Sequence, residues 1–524
     1  MVVDFKNNGI VEINFKLDIN FCDRLVDAKV LTPSNKEIIY PAFWKGDDNW
    51  AVRFIPNELG DYRVYIENLD EILVTIKKVI KPHNILRVDK NSLIDSNNKA
   101  FFWLSDTWWM ALSGRLKFED FKYLADIRKD MGFNVIQLVV GLFPDMDSFD
   151  KRGENEGGYV WSNNFESINP KFFEVAEKKI EYLYNKGFHI ALVGAWGYYL
   201  EKIGIHKMKL HWRYIIARWG VYSSIWIAAG EATMPFYLSK NRLLESKRLR
   251  SGWQELLTYI KKIDSYKKIL TIHPINNALD EINKKELLDI NLLQASHHNY
   301  GSIQKAIELL DNSKDIVTIM DEINYEGILR DNHDGVIRLS FWKSILKGSK
   351  GFGYGANGIW QVNYKDVVFG PSPNGANWGN IAWDEALKFK GAKDIAKSKE
   401  FLEEFEWWKL KEVNILSPKV DKNDPKAPIV ASIENKIFLS YFYNPIAPWD
   451  DKYKFKLEPN SVYSYYFYSP NSYNKSLDKE FTTNSSGYWE MEIPPSLDDW
   501  ILVIKQKATK NIVNSFISRL KRLL

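Results

Sequence analysis

Two carboxylates stand where apolar runs give way to polar chain. Glu231 closes Ser224-Ile-Trp-Ile-Ala-Ala-Gly-Glu, and Glu322 lies in Ile316-Val-Thr-Ile-Met-Asp-Glu-Ile-Asn-Tyr-Glu. Runs of this length and apolarity read as strands buried on both faces. An acid at the solvent end of such a strand is costly to place there for solubility alone, so it points to chemistry. Two of them on different strands of one sheet suit proton donation to a departing oxygen by one and attack at, or water activation beside, an anomeric carbon by the other.

The elements that must hold these acids follow from the hydrophobic rhythm. From about residue 95, apolar strands alternate with amphipathic helical stretches. The strand candidates are 101–107, 133–140, 189–196, 224–231, 269–275, 291–297, 316–323 and 351–360, and Lys117–Met131 and Pro170–Lys186 are helical. Eight such units predict a (β/α)8 TIM barrel, whose site lies at the C-terminal ends of its strands. Glu231 then ends strand 4 and Glu322 strand 7. In retaining barrel glycosidases these positions face each other, which makes Glu231 the acid/base and Glu322 the nucleophile.

Other residues near strand ends are candidate sugar contacts. Asp106, in Ser105-Asp-Thr-Trp-Trp, is a candidate hydrogen-bond acceptor, with Trp108 and Trp109 walling the pocket. Gln137, Trp196, His273, His297, Tyr325 and Trp360 are candidates for hydroxyl binding and ring stacking, and each type serves equally well in a packed core. Strand alternation turns Asp321 away from Glu322, into a structural role. Glu326 is the reserve carboxylate. The Gly-rich run 351–358 predicts close approach of strand 8 to substrate. The long loop Gly141–Ser167 carries Asp145, Asp147, Asp150, Glu154 and Glu156 near the predicted mouth.

The barrel is expected over residues 86–415, flanked by an N-terminal β-sandwich at 1–85 and a small C-terminal β-domain at 416–505. Alternating strands such as Val11-Glu-Ile-Asn-Phe-Lys-Leu and Tyr62-Arg-Val-Tyr-Ile, separated by turns, carry the first assignment. Residues 506–524 form a basic amphipathic tail, with Ile512, Val513, Phe516, Ile517 and Leu520 on one helical face. Such a tail suits peripheral membrane association as well as docking on the body. Net charge is +4, and without the six cations from Lys505 onward the rest carries −2, which argues against nucleic acid as partner. The one cysteine, Cys22, excludes an intrachain disulfide. The first residues lack the pattern of a secretory signal, so a cytoplasmic location, with the tail reaching the inner membrane surface, is the expectation. No metal or cofactor is implied: the chain has no His-x-His after strand 1, no His-Glu-x-x-His and no Walker loop.

The ordered motifs resemble the apiosidase-like glycoside hydrolase family. They are Phe102-Trp-Leu-Ser-Asp-Thr-Trp-Trp, Gly132-Phe-Asn-Val-Ile-Gln, Trp226-Ile-Ala-Ala-Gly-Glu, His273-Pro, Leu293-Gln-Ala-Ser-His, Asp321-Glu-Ile-Asn-Tyr-Glu, Gly353-Tyr-Gly-Ala-Asn-Gly-Ile-Trp-Gln and Trp383-Asp-Glu-Ala-Leu. The resemblance implies a barrel hydrolase of glycosidic bonds in a polysaccharide or oligosaccharide, with its acid/base at Glu231 and its nucleophile at Glu322. It also implies a companion N-terminal β-sandwich and a C-terminal β-domain of the collagen-binding type. Two other readings stand beside it: an inactive glycan-binding or scaffold protein on the same barrel, and a membrane-surface glycosidase of polysaccharide assembly.

Overall fold

A computed structural model describes residues 2–19, 21–313, 315–329, 331–421, 424–443 and 453–507, without the side chain of Asn163. Apart from Gln506 and Lys507, the basic tail lies outside these described residues.

The chain divides into two compact units, the first comprising Met1–His297, Asn312–Asn332 and Lys350–Phe389. Within it, residues 2–76 form two four-stranded antiparallel sheets. Alternation explains their faces. In Gly60–Ile66, Tyr62, Val64 and Ile66 are buried, while Asp61 and Arg63 are exposed. In Ile72–Ile76, Ile72, Val74 and Ile76 turn inward and Leu73 outward.

Eight parallel strands follow, and every apolar run proposed as a barrel strand contains one. They are Trp103–Thr107, Val135–Val139, His189–Val193, Ile225–Ile227, Ile269–Thr271, Asn291–Gln294, Thr318–Glu322 and Gly351–Tyr354, here barrel strands 1 to 8. Their order is 5-4-3-2-1-8-7-6. Between strands 5 and 6 irregular bonds replace a ladder: the Asp289 N–H donates to the Leu270 carbonyl, the Thr271 hydroxyl to Ile290, and the Gln294 N–H to Asn276. The barrel is thus nearly closed. Pro170 and the Asn169 side chain start the helix Pro170–Asn185, as a proline at the first helical position and an Asn cap should.

One buried ion network ties the N-terminal sheets to the barrel helices. Arg53 donates to Glu12 at 2.6 Å, to Glu177 at 2.6 Å and to the Arg218 carbonyl at 2.7 Å. Glu177 also receives Arg218 Nε at 2.7 Å. Burial alone would raise the Glu177 carboxyl, but the two guanidinium groups hold it far below the ordinary carboxylate range.

The second unit comprises His298–Asp311, His333–Ser349 and Lys390–Leu524. It holds the helices Tyr300–Asp311, Asp334–Lys347 and Lys390–Leu402, a six-stranded antiparallel sheet and a three-stranded one. The sheets share an aromatic core that includes Phe438, Phe455, Tyr463, Phe467 and Trp500.

Candidate active site

Beyond strand 4 the chain runs three residues further before it reaches Glu231. Strand 4 ends at Ile227, so Glu231 lies past the strand rather than at its last residue. Backbone bonds from Gly230 N to Ala195 and from Gly197 N to Gly230 continue the pairing outward. At Gly230 an added Cβ would stand 2.3 Å from the Trp196 ring, so only glycine lets that indole lie beside Glu231. Glu231 itself has φ 43°, a left-handed conformation that a glutamate adopts only where its surroundings impose it.

Strand 7 places Glu322 at its end, as its apolar run suggested. Its register against strand 6 shifts here: Leu293 pairs with Met320, but Gln294 pairs with Glu322. Asp321 is the extra residue of this bulge. Alternation therefore fails, and both acids reach the same side: His273 Nδ1 is 3.2 Å from Asp321 Oδ2 and its Nε2 is 3.4 Å from Glu322 Oε2. Asp321 does hold other residues in place, since it also accepts from Gln137 at 2.9 Å.

Gln294 spans the two glutamates. Its Nε2 donates to Glu231 Oε1 at 3.1 Å and to Glu322 Oε1 at 2.9 Å. Two oxygens bonded to one amide nitrogen at these distances stand within 6.0 Å of each other. Glu322 also receives the Tyr325 hydroxyl at 2.6 Å on Oε2 and His297 Nε2 at 3.2 Å on Oε1. The Tyr325 backbone N–H donates to His297 Nδ1 at 3.2 Å, which leaves the ring proton on Nε2, facing the carboxylate. Glu231 has less support: beyond Gln294, Trp196 Nε1 donates to its Oε2 at 3.3 Å.

This asymmetry separates the two acids electrostatically. Burial pushes the Glu231 carboxyl up, the charge of Glu322 pushes it further, and it reaches about 7. Burial acts on Glu322 in the same direction, but His273 and His297 outweigh it and hold this carboxyl far below the usual range. Burial pushes the His273 imidazole down, yet its contacts with Asp321 and Glu322 outweigh this and raise it to about 10, which favours the imidazolium. The two acids are pushed in opposite directions, Glu231 towards holding its proton and Glu322 towards ionisation, the division of roles that acid-base work needs.

The cleft above the pair has a volume of about 190 Å³. Of the residues proposed from the sequence, Trp109, Trp196, Glu231, His297, Glu322, Tyr325 and Trp360 line it. His273 is fully buried beneath, against Glu322 and edge-on to Trp109. The remaining proposed contacts lie elsewhere. Asp106 is fully buried and bound to Arg128 at 2.6 Å, and Trp108 is equally buried. Gln137 is a core residue on the inner face of strand 2, bonded to Asp321 and Ser105. Glu326 is buried with the Tyr354 hydroxyl 2.7 Å from its Oε2, and it does not line the cleft. The glycines in and just past strand 8 pack against protein rather than substrate: a Cβ at Gly353 would meet the Asp321 carbonyl, and one at Gly355 would be 2.4 Å from the Tyr325 ring.

Gln294, Tyr237 and Trp378 line the cleft without having been singled out, and Asp145, named only among the acids of the loop near the mouth, lines it too. Gln294 carried the same signal as the glutamates, a polar residue closing an apolar strand. The other three come from loops, where residue type alone says little about direction.

An eight-stranded parallel barrel with this carboxylate pair at its C-terminal mouth is the architecture of barrel glycoside hydrolases, and the chain is a glycosidase. It belongs to the apiosidase-like family: the model of the apiosidase-like catalytic domain matches residues 88–409. A domain of unknown function, DUF5060, matches residues 7–67. Among solved structures, a glycoside hydrolase family 5 protein from Bacteroides vulgatus is similar at TM-score 0.66 and 21% identity, covering 81% of this chain and 93% of its own. A putative glycoside hydrolase from the same organism is similar at TM-score 0.66 and 15% identity, covering 95% and 98%. These likenesses concern the fold. No curated protein matches the chain.

Proposed function

We propose that this protein hydrolyses glycosidic bonds of an oligosaccharide or polysaccharide with retention of anomeric configuration, Glu322 acting as nucleophile and Glu231 as acid/base. The observation that carries the reading is the single Gln294 amide donating to both carboxylates. The two accepting oxygens therefore lie within 6.0 Å of each other, below the roughly 6.5–9.5 Å at which inverting pairs seat their water.

The ionised Glu322 attacks the anomeric carbon while Glu231 gives its proton to the departing glycosidic oxygen. The carbon–oxygen bond breaks and a glycosyl ester forms on Glu322. With its proton gone, Glu231 takes one from a water that attacks the same carbon, and the ester bond breaks with Glu322 as leaving carboxylate. His273, His297, Tyr325 and Gln294 stabilise Glu322 as an anion both before attack and on departure.

Activity should therefore decline on the alkaline side with an apparent pKa of about 7, as Glu231 loses its proton. Glu322→Gln should lower kcat by more than about 10⁴-fold. Glu231→Gln should lose the alkaline limb yet still cleave glycosides whose leaving groups need no proton. A pH–rate series on the wild type and both variants decides. Normal turnover by Glu322→Gln, or an unchanged alkaline limb in Glu231→Gln, removes the assignment.

A further inference from the structure

The cleft holds a third carboxylate that a two-acid mechanism leaves unused. Asp145, in the loop after barrel strand 2, is 8% exposed and faces the same cavity as Glu231 and Glu322. It is fixed from several sides. Its backbone N–H donates to the Tyr237 hydroxyl at 3.0 Å, its carbonyl accepts Arg152 Nη2 at 3.3 Å, and its Oδ2 accepts Trp378 Nε1 at 3.1 Å. Its φ of 55° is a further constraint that the loop sustains at this position.

The composition of the cavity gives this acid a consequence. Three carboxylates line it, and among the described residues no Lys or Arg does. The donors nearest the acids are engaged by them: Gln294 by both glutamates, Tyr325 and His297 by Glu322, and Trp378 by Asp145. A carboxylate offers about four acceptor sites, so each acid keeps lone pairs for an incoming donor. A sugar hydroxyl, which donates and accepts, suits these acceptors. A sugar carboxylate or sulfate only accepts, and would lose its water beside the ionised Glu322 with no Lys or Arg lining the cleft to meet it.

Resting on the proposed glycosidase reading, we infer that Asp145 determines specificity: it accepts a hydroxyl of the reacting sugar and bars sugars that carry a carboxylate or sulfate there. The role is recognition, distinct from the proton and bond transfers of the two glutamates.

Matched aryl glycosides differing only at C6 test it, each neutral hexoside against its uronide, with kcat and KM measured separately. In any pair that is cleaved, the neutral member should have a kcat/KM at least about 100-fold higher. Asp145→Asn should raise KM for the neutral member by about 10-fold with a smaller change in kcat. Asp145→Lys should shift the neutral-to-uronide ratio towards the uronide by at least about 10-fold. Should Asp145→Lys not fold, Asp145→Asn carries the test, because loss of the charge must narrow the same ratio. Comparable cleavage of a uronide by the wild type, or a ratio unmoved in the variants, overturns the inference while leaving the roles of Glu231 and Glu322 intact. Failure of a folded wild type to cleave either member of any pair counts against the glycosidase mechanism itself, and the inference falls with it.

Discussion

Glu231 is held in a state that disfavours the fold at alkaline pH. In the unfolded chain its carboxyl has an ordinary value of 4.5, and in the fold it is raised to about 7 by burial and by Glu322. The folded state thus binds this proton more tightly. Its contribution to stability is complete below pH 4.5 and is lost as pH rises through 7. Glu231→Gln carries no such charge, so it should be more stable than wild type at pH 8 by about 1–3 kcal/mol, the difference vanishing near pH 4. Denaturant unfolding across pH checks this, and a pH-independent difference would refute it. The acids themselves were readable from the sequence because carboxylates seldom close apolar strands. Asp106, Trp108 and Gln137 misled for a related reason. Periodicity marks a barrel strand but not the layer at which a residue sits, and these three belong to the core below the cleft.

At the scale of elements, the site depends on two departures from regular strand geometry. The bulge at Asp321 brings successive acids to one histidine, which a period of two forbids. No residue type announces it, so alternation gave Asp321 the wrong direction. The second departure is the extension past strand 4, where Gly230 admits the Trp196 ring. Gly230→Ala should displace that indole and its 3.3 Å bond to Glu231. The expected result is a kcat/KM lower by about 10- to 100-fold and a Tm lower by several degrees. Steady-state kinetics with a thermal melt decide it, and a variant unchanged in both would show that the contact is immaterial. The glycines of the run 351–358 were visible, yet their purpose depends on neighbours in and after strand 7, Asp321 and Tyr325, that the run does not name.

For the whole molecule, the barrel and its flanking sheets were readable because apolar runs and alternating strands differ in period. The observed strands are shorter than the runs that contain them, since apolar residues continue into the loops at the mouth. The buried Arg53 network between sheets and barrel helices was not readable, because an isolated arginine in a strand gives no sign of partners 124 and 165 residues away. Among the described residues no helix is long and apolar enough to cross a membrane. What Glu231 and Glu322 do together is written in the stereochemistry of the first-formed product. Proton NMR of a fresh reaction should show the newly released sugar in the anomeric configuration of the bond that was cut. Release of the opposite anomer would contradict a covalent role for Glu322.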